Sequence, residues 1–273
     1  MQFTPDEIMV VCISHQIQDG ETVVQGLATP LVAAGYLLAR RTHAPNIYFA
    51  SAIGQGMCKQ PAPLGLSRVE SQWLDFSLKN IGFTRVATQI LPSLRPREFL
   101  RPAQVDPYGN TNNIAFGKDY LIHGRQHPRL RLPGSGGIPD ITTFINQVCL
   151  YVPRHSKLTF VPQLDVCSGL GHAPSRRQGA GPIYLITDLG QFDFASGHLR
   201  LTTFHPGVMI EHIQARTGFE LAIASDVHET PAPSSNEIRI LREEIDPLNI
   251  RQLELLSGAP RRQLLNEILV KEL

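Results

Sequence analysis

The order of hydrophobic and polar positions in the first half of the chain predicts alternating helices and buried strands. Thr4–Glu7 (TPDE) is typical of a helix start, with a capping threonine, a proline in the first turn and acids near the positive end of the helix dipole. This helix is predicted to run to about Gln18. A strand at Thr22–Gln25, a helix at Leu31–Arg41 and a strand at Ile47–Ala50 follow. This β-loop-α-β order, with buried strands, indicates an α/β protein with a parallel sheet.

The pattern changes further along the chain. A helix is predicted at Ser67–Lys79, with Trp73 facing inward, and a strand at Arg85–Ile90. A strand-rich second half follows, indicated by the segments RLRLPGSGGIPD, CLYVP, LTFVP, PIYLITD and FDFASGHLRLTTF. Near its end, Gly207–Thr217 is predicted to be a helix that Gly218 terminates at its C-cap.

The composition shifts again after Asp246 and Pro247, and this shift predicts a boundary. Residues 1–246 are predicted to form the α/β domain, and residues 247–273 a C-terminal helical tail. The tail carries leucines and isoleucines at helical spacing, interrupted at Gly258–Pro260. Two interpretations stay open: the tail folds on its own domain, or it packs on a partner chain.

Composition excludes several classes of function. The chain has 273 residues and a net charge of +1, which gives no electrostatic basis for binding nucleic acid or an anionic membrane. No apolar run is long enough to cross a bilayer or to act as a signal peptide, so we expect a cytoplasmic protein. The four cysteines are expected to be reduced core thiols, with Cys58 the least buried. The histidines and cysteines show no ligand spacing, so no metal is predicted.

Two polar or glycine-rich segments are candidates for chemistry. The run Gly134–Gly137, which leads to Asp140, allows backbone N–H groups to converge on an anion or an oxyanion. It matches neither the phosphate-loop nor the dinucleotide pattern, and a plain glycine turn is the alternative. In the second segment the side chains of Asp106 and Asn110 are expected to bond turn backbone, while the amide of Gln104 could contact a ligand.

Several segments together resemble the β subunit of class I (family I) CoA-transferases, the glutaconate CoA-transferase type in particular. They occur in the order of the family: GLATPLVAAGYLLARRTHAPN, AQVDPYGNTN, PGSGGIPD, ITDLGQFDF, HPGV, RTGFEL and REEIDP. The resemblance implies an open α/β sheet of the NagB/RpiA/CoA-transferase-like fold, with a strand-rich second half. It also implies a homologous α subunit, as a heterodimer or an α2β2 assembly, with the active site at or near the interface.

The resemblance further implies the roles of individual residues. In the transferases, the strand that matches Ile47–Ala50 ends in a glutamate that becomes a glutamyl-CoA thioester. Here Ala50 occupies that position and Ser51 follows it, so no carboxylate is available; the nearest downstream acid in the chain is Glu70. The catalytic residues are predicted to be Gly136 and Gly137, as donors to the thioester oxygen, and Ser51. The predicted substrate contacts are Ala50, Gln104, Ser135 and Asp140.

Relatives of this scaffold that lack the glutamate catalyse ring-opening C–C hydrolysis or decarboxylation of acyl-CoA thioesters. The sequence therefore predicts a β subunit of an acyl-CoA hydrolase or lyase, with acid or base groups supplied by the α subunit. A true CoA-transferase with a nucleophile from the partner chain is one alternative, and a catalytically silent β chain is another. No cofactor is expected, because coenzyme A is part of the substrate.

Overall fold

The computed structural model describes residues 2–26, 29–51, 56–67, 69–117, 128–172, 174 and 176–273. The helices, in chain order, are α1 Pro5–His15, α2 Pro30–Thr42, α3 Val69–Asp75, α4 Phe83–Arg85, α5 Leu91–Leu94, α6 Ile138–Phe144, α7 Ile210–Arg216, α8 Ser235–Arg239 and α9 Gly258–Glu272. Two π-helical turns, Val86–Ile90 and Ile240–Ile245, and a 3-10 helix, Ile250–Glu254, accompany them.

The strands in the same order are β1 Thr22–Gln25, β2 Tyr48–Ser51, β3 Gly56–Cys58, β4 Lys79–Asn80, β5 Arg97–Leu100, β6 Gln104–Val105, β7 Thr111–Asn112, β8 Ala115–Phe116, β9 Leu130–Arg131, β10 Gln147–Val152, β11 Tyr184–Thr187, β12 Gly190–Asp193, β13 Arg200–Phe204 and β14 Ala222–Glu229. The alternation of helices and strands confirms the predicted α/β class. The chain forms two compact units, which are described separately. The first comprises Met1–Thr88, Pro96–Phe99 and Ala232–Leu273, and the second Gln89–Arg95 and Leu100–Pro231.

The first unit contains the strands β5, β1, β2, β3 and β4, which are hydrogen-bonded in that order. The pairs β5–β1 and β1–β2 are parallel, whereas β3 and β4 return antiparallel. Helix α2 covers one face of this sheet, where the ring of Tyr36 meets that of Phe99 at a centroid distance of 6.2 Å. Buried apolar residues of α1 and α2 pack together and form the core of this unit.

The second unit contains the strand-rich half that the sequence predicted. Its strands β10, β11, β12, β13 and β14 are neighbours in that order, with β12 antiparallel to both of its neighbours. The pairs β10–β11 and β13–β14 are parallel. This unit also contains two short antiparallel ribbons, β6–β7 and β8–β9. The predicted polar turn connects β6 to β7, and the glycine-rich segment follows β9.

Several predicted elements need correction. The strand predicted at Arg85–Ile90 is wrong, because these residues are helical. The strand of this region is β5, which sequence analysis missed because it begins with an arginine and a glutamate, residues that strands disfavour. Helix α1 ends at His15 and α3 spans only Val69–Asp75, although Trp73 is buried as expected.

The predicted end of the helix α7 is also wrong in detail. The C-cap is Thr217, with extended backbone at φ −95° and ψ 134°. The N–H of Gly218 donates to the carbonyl of Phe160 at 2.9 Å instead of closing the helix. A tertiary hydrogen bond therefore fixes this glycine, and no left-handed cap forms.

The C-terminal tail packs on its own compact unit. Ile268 of α9 lies in a cluster with Ile250 and Leu253, against which Leu64 and Leu66 also pack. The carboxylate of Glu272 accepts hydrogen bonds from the backbone N–H groups of residues 66 and 67, at 2.9 and 2.7 Å. Of the two interpretations left open by the sequence, the structure shows packing within the chain; the domain boundary at residue 246 stays a prediction.

Among the residues that the structure describes, no helix is both long and apolar enough to cross a membrane.

Candidate active site

The end of strand β2 carries two of the predicted site residues. Ala50 is paired with Val24 of β1, and Ser51 with Gln25. Successive residues of a strand point to opposite faces, so Ala50 and Ser51 lie on different sides of the sheet. Both are buried, with 8% and 6% of their surface exposed. The predicted turn residues that follow, Ala52–Gly54, lie outside the described residues.

The contacts of α2 show which face of the sheet Ala50 and Ser51 each occupy. Phe49 lines a cavity together with Ala33 and Leu37 of α2, which places Phe49 on the helix-covered face. Ser51, two residues further along β2, shares that face. Ala50 therefore belongs to the opposite face of the sheet, so the predicted substrate contact Ala50 and the predicted catalytic residue Ser51 face different sides.

A buried carboxyl group lies on the same face as Ala50. Glu98 of β5 is paired with Val24, the residue that is itself paired with Ala50, and only 3% of Glu98 is exposed. Its Oε2 is shielded from solvent and accepts no hydrogen bond within the described residues. Desolvation by burial raises the pKa of Glu98 from 4.5 to about 8, so the carboxyl group is neutral at pH 7.

The helix-covered face of the first unit contains an apolar cavity of about 370 Å³. Its wall is formed by residues from β1 and β2, from α2, and from the loop that precedes α3. The lining residues are Gln25, Thr29, Pro30, Ala33, Leu37, Phe49, Pro61, Ala62, Pro63, Leu64, Gly65, Leu66, Val69 and Trp73. A cavity with one amide and an otherwise mostly apolar wall suits the hydrocarbon part of a ligand.

The glycine-rich segment forms the loop that enters α6. Gly134 and Gly136 have left-handed φ angles of 115° and 51°, which glycine adopts readily. Gly137, the N-cap residue, has φ −83° and ψ 4°, a conformation open to any residue. Within the described part of the chain, the N–H groups of Gly136 and Gly137 donate to no acceptor. Ser135 is half-buried and Asp140, in the first turn of α6, is exposed.

The predicted polar turn is built largely from internal hydrogen bonds. Asp106 accepts from the N–H groups of Tyr108 and Asn110, both at 3.0 Å, which confirms the local role that the sequence indicated. The Oε1 of Gln104 accepts from the Nδ2 of Asn112 at 2.7 Å and from the N–H of Asp165 at 3.1 Å. The carbonyl side of this amide is thus already used, and a substrate contact by Gln104 stays a prediction.

The glycine loop and the polar turn belong to one hydrogen-bonded region of the second unit. Gly134 donates its N–H to the carbonyl of Asn113 at 3.1 Å, and the neighbouring residue, Asn112, holds Gln104. Ala50 and Ser51, by contrast, belong to the first unit. A single site containing all the predicted residues therefore stays a prediction.

Cysteine and histidine side chains often take part in catalysis, and Cys58 and His155 are buried here in the protein interior. Cys58 is buried, contrary to expectation, and burial raises the pKa of its thiol to about 12, whereas Cys167 is exposed. His155 contacts the hydroxyl groups of Thr187 and Thr217, and burial lowers its pKa to about 3. Among the described residues, no group of three or more metal-ligating side chains could hold an ion.

Sequence analysis missed Glu98, which lies directly before two apolar residues of an unrecognised strand. The nearest acid downstream of Ala50 along the chain is Glu70, in α3. The relevant acid lies two strands away across the sheet, and only the strand register reveals it.

Comparisons with known proteins agree with this architecture. The family model described as coenzyme A transferase matches residues 7–216. The β subunit of glutaconate CoA-transferase from Acidaminococcus fermentans is 30% identical over 262 residues, which cover 90% of this chain and 93% of that protein. The cholesterol ring-cleaving hydrolase IpdB subunit of Mycobacterium bovis is 30% identical over 268 residues, covering 93% and 99%. The chain therefore belongs to the coenzyme A transferase family, among the β subunits of class I.

The same conclusion holds for the fold. The crystal structure of the decarboxylase AibA/AibB superposes with a TM-score of 0.81 at 28% identity, covering 94% of this chain and 100% of the matched chain. The predicted CoA-transferase-like fold is thereby confirmed. These relatives include a transferase, a hydrolase and a decarboxylase, so family membership alone leaves the reaction open.

Proposed function

We propose that this chain is the β subunit of a heteromeric enzyme that cleaves a C–C bond of an acyl-CoA thioester, by hydrolysis or by decarboxylation. One observation carries the proposal: the end of strand β2 presents Ala50 and Ser51 and no carboxylate. A CoA-transferase of this family needs an ionised carboxylate there to form its acyl intermediate. Alanine has no nucleophile, and the serine lies on the other face of the sheet.

Cleavage of a C–C bond next to a thioester makes different demands on a protein. The electron pair of the broken bond is delocalised onto the thioester oxygen as an enolate, which needs hydrogen-bond donors, and the carbon must then receive a proton. Within the described residues the N–H groups of Gly136 and Gly137 have no acceptor, and they are the proposed donors. Ser135 and Asp140, beside them, are the proposed substrate contacts from the same loop.

The proposal includes a homologous α subunit and excludes a cofactor other than the coenzyme A of the substrate. The relatives named above are subunits of two-component enzymes, which supports the partner. The apolar cavity beside Gln25 is suited to the hydrocarbon part of the acyl group.

The experiment is to co-express the chain with its α subunit and to follow two CoA thioesters by mass spectrometry. Glutaconyl-CoA tests decarboxylation, because its distal carboxylate can leave as CO2 with the electrons passing to the thioester. A 3-oxoacyl-CoA, 3-oxoadipyl-CoA, tests hydrolytic cleavage, which gives acetyl-CoA and succinate. Each is incubated with and without acetate as an acceptor acid.

We expect C–C cleavage of at least one thioester without acetate. Transfer would instead give acetyl-CoA from glutaconyl-CoA together with free glutaconate, and only when acetate is present. That result would overturn the proposal in favour of a transferase. No reaction in either arm would favour a β chain without chemistry of its own on these thioesters.

A further inference from the structure

Glu98 differs from the other buried acids of the first unit because its carboxyl group is not engaged. The carboxylate of Glu7 is held by Arg242 and Arg251, at 2.6 and 3.2 Å. Glu254 accepts the N–H of Leu31 at 2.9 Å. The Oε2 of Glu98, equally buried, has no such partner among the described residues. A buried polar atom without a partner is costly, so an unpaired carboxyl group calls for a functional explanation.

The register of the sheet places this carboxyl group beside the emptied nucleophile position. Ala50, Val24 and Glu98 lie in one row across three parallel strands, with their side chains on the same face. Two strand spacings, about 10 Å, separate the backbones of Ala50 and Glu98. A substrate atom bound at Ala50 would therefore lie on the same face of the sheet as the carboxyl group of Glu98.

Two positions near Glu98 on this face, Gly26 and Ala50, are occupied by small residues. Gly26 follows β1, and a Cβ atom added there would lie 3.9 Å from the Oε1 of Glu98, in ordinary contact. Ala50 contributes only a methyl group. Neither position places a polar side chain next to the carboxyl group.

Among the described residues of β1 and β2, no charged side chain faces Glu98. The neighbouring Arg97 points to the other face of the sheet, where it is paired with Glu21 at 2.8 Å. On the face of Glu98, β1 presents Val24 and β2 presents Ala50, and neither titrates. Burial is therefore the cause that keeps the carboxyl group neutral, and a neutral carboxyl group can donate a proton.

We propose that Glu98 is the catalytic acid that delivers the proton to the substrate carbon after C–C cleavage. This inference rests on the function proposed above. In decarboxylation the C–C bond breaks, its electron pair forms the thioester enolate, and CO2 leaves. In hydrolysis water first adds to the 3-oxo carbon and loses one proton to solvent; the C–C bond then breaks, its electron pair forms the thioester enolate, and the other fragment leaves as a carboxylic acid. The O–H bond of Glu98 then breaks, its proton forms the new C–H bond, and a carboxylate remains. Water from the solvent returns a proton to the carboxylate before the next turnover.

The test compares Glu98→Gln with the wild type in the co-purified complex, using glutaconyl-CoA and 3-oxoadipyl-CoA. Removal of a general acid is expected to lower kcat by about 10²-fold or more, with KM changed little. The wild-type kcat should decrease as pH rises above about 8, the pKa of Glu98, and the residual activity of the variant should lack this decrease. Glu254→Gln is the matched control, a buried carboxyl group with a structural hydrogen bond, and should keep most of the activity.

The outcomes separate the two proposals. If the wild-type complex cleaves neither thioester without acetate, the proposed function fails and the role of Glu98 fails with it. If the wild type cleaves one and Glu98→Gln is as active, only the role of Glu98 is overturned. Should Glu98→Gln not assemble, Glu98→Asp provides the test: it keeps an acid, so slower turnover with the alkaline decrease intact supports the proposal, and turnover without that decrease overturns it.

Discussion

Replacing Glu98 by glutamine should stabilise the protein at neutral pH while it removes activity. The carboxyl group has a pKa of about 8 in the folded chain, against an ordinary value of 4.5. Because the folded-state pKa is raised, this group contributes its full stability below pH 4.5, and that contribution is lost as pH rises towards 8. Glutamine has nearly the same shape and does not titrate, so it does not carry this pH-dependent cost.

The size of the effect follows from the shift in pKa. Each pH unit between 4.5 and 8 reduces the free energy of unfolding by about 1.4 kcal/mol, which amounts to about 3 kcal/mol at pH 7. A change of 1 kcal/mol moves the Tm of a domain of this size by about 2–4 °C. We therefore expect Glu98→Gln to raise the Tm by roughly 6–12 °C at pH 7, and the difference to become small near pH 4.5.

Thermal unfolding of the co-purified complex from pH 5 to pH 8, with both variants side by side, measures this difference. Glu254→Gln should show the opposite sign, because it weakens the hydrogen bond to the N–H of Leu31. A Glu98→Gln variant that is less stable than the wild type at pH 8 would show that Glu98 is ionised and paired in the folded state. In that case the carboxyl group could not act as a neutral proton donor.

Three further predictions test other parts of the site. The variant Gly137→Ala keeps the backbone N–H, at a φ of −83° that alanine readily adopts, and should retain activity. The variant Gly137→Pro removes the N–H and should lower kcat by about 10²-fold. Equal activity of the two variants would exclude this N–H as a donor. Hydroxylamine trapping and peptide mapping of the complex during turnover should find no glutamyl-CoA adduct on this chain, because the end of β2 carries Ala50 and Ser51 and no carboxylate. A labelled glutamate would contradict this. Burial raises the pKa of Glu272, but hydrogen bonds from Ser67 and Leu66 outweigh it and lower the pKa below its ordinary value. Because solvent screens this partly exposed carboxylate, Glu272→Gln should reduce stability by only about 0.5 kcal/mol at pH 7, and this difference should vanish as pH falls well below 4.5. A loss that persists in acid would point to packing instead.

Local patterns were enough to predict β1, α2 and β2, because each is an uninterrupted run with clear end signals. They failed at β5, where Arg97 and Glu98 contradict the usual composition of a strand. Tertiary structure overrides that preference: Glu21 neutralises the arginine, and burial neutralises the glutamate. Glu21 and strand β1, which pairs with β5 beside Glu98, are both distant in sequence from β5. No short sequence window around β5 therefore contains the information that identifies it as a strand.

The candidate site was predictable to a similar degree. The glycine run indicated a loop with free N–H groups, and the structure places left-handed φ angles at Gly134 and Gly136, but not at Gly137. The lack of a carboxylate at the end of β2 was evident from the sequence. The position of Glu98 beside Ala50 was not, because the register of three parallel strands determines it and this register depends on long-range pairing.

The protonation states that the two reaction classes need connect the proposed absence of a nucleophile at Ala50 with the proton donor proposed at Glu98. A nucleophilic carboxylate must be ionised, whereas a proton donor must be neutral at the working pH. A carboxylate at residue 50 would place a negative charge about 10 Å from Glu98, two strand spacings away. In a poorly solvated row of residues, that charge would oppose the ionisation that Glu98 must undergo when it gives up its proton. Alanine at this position removes that opposition, so that burial alone sets the acidity of Glu98, at a pKa of about 8 that suits proton transfer near neutral pH.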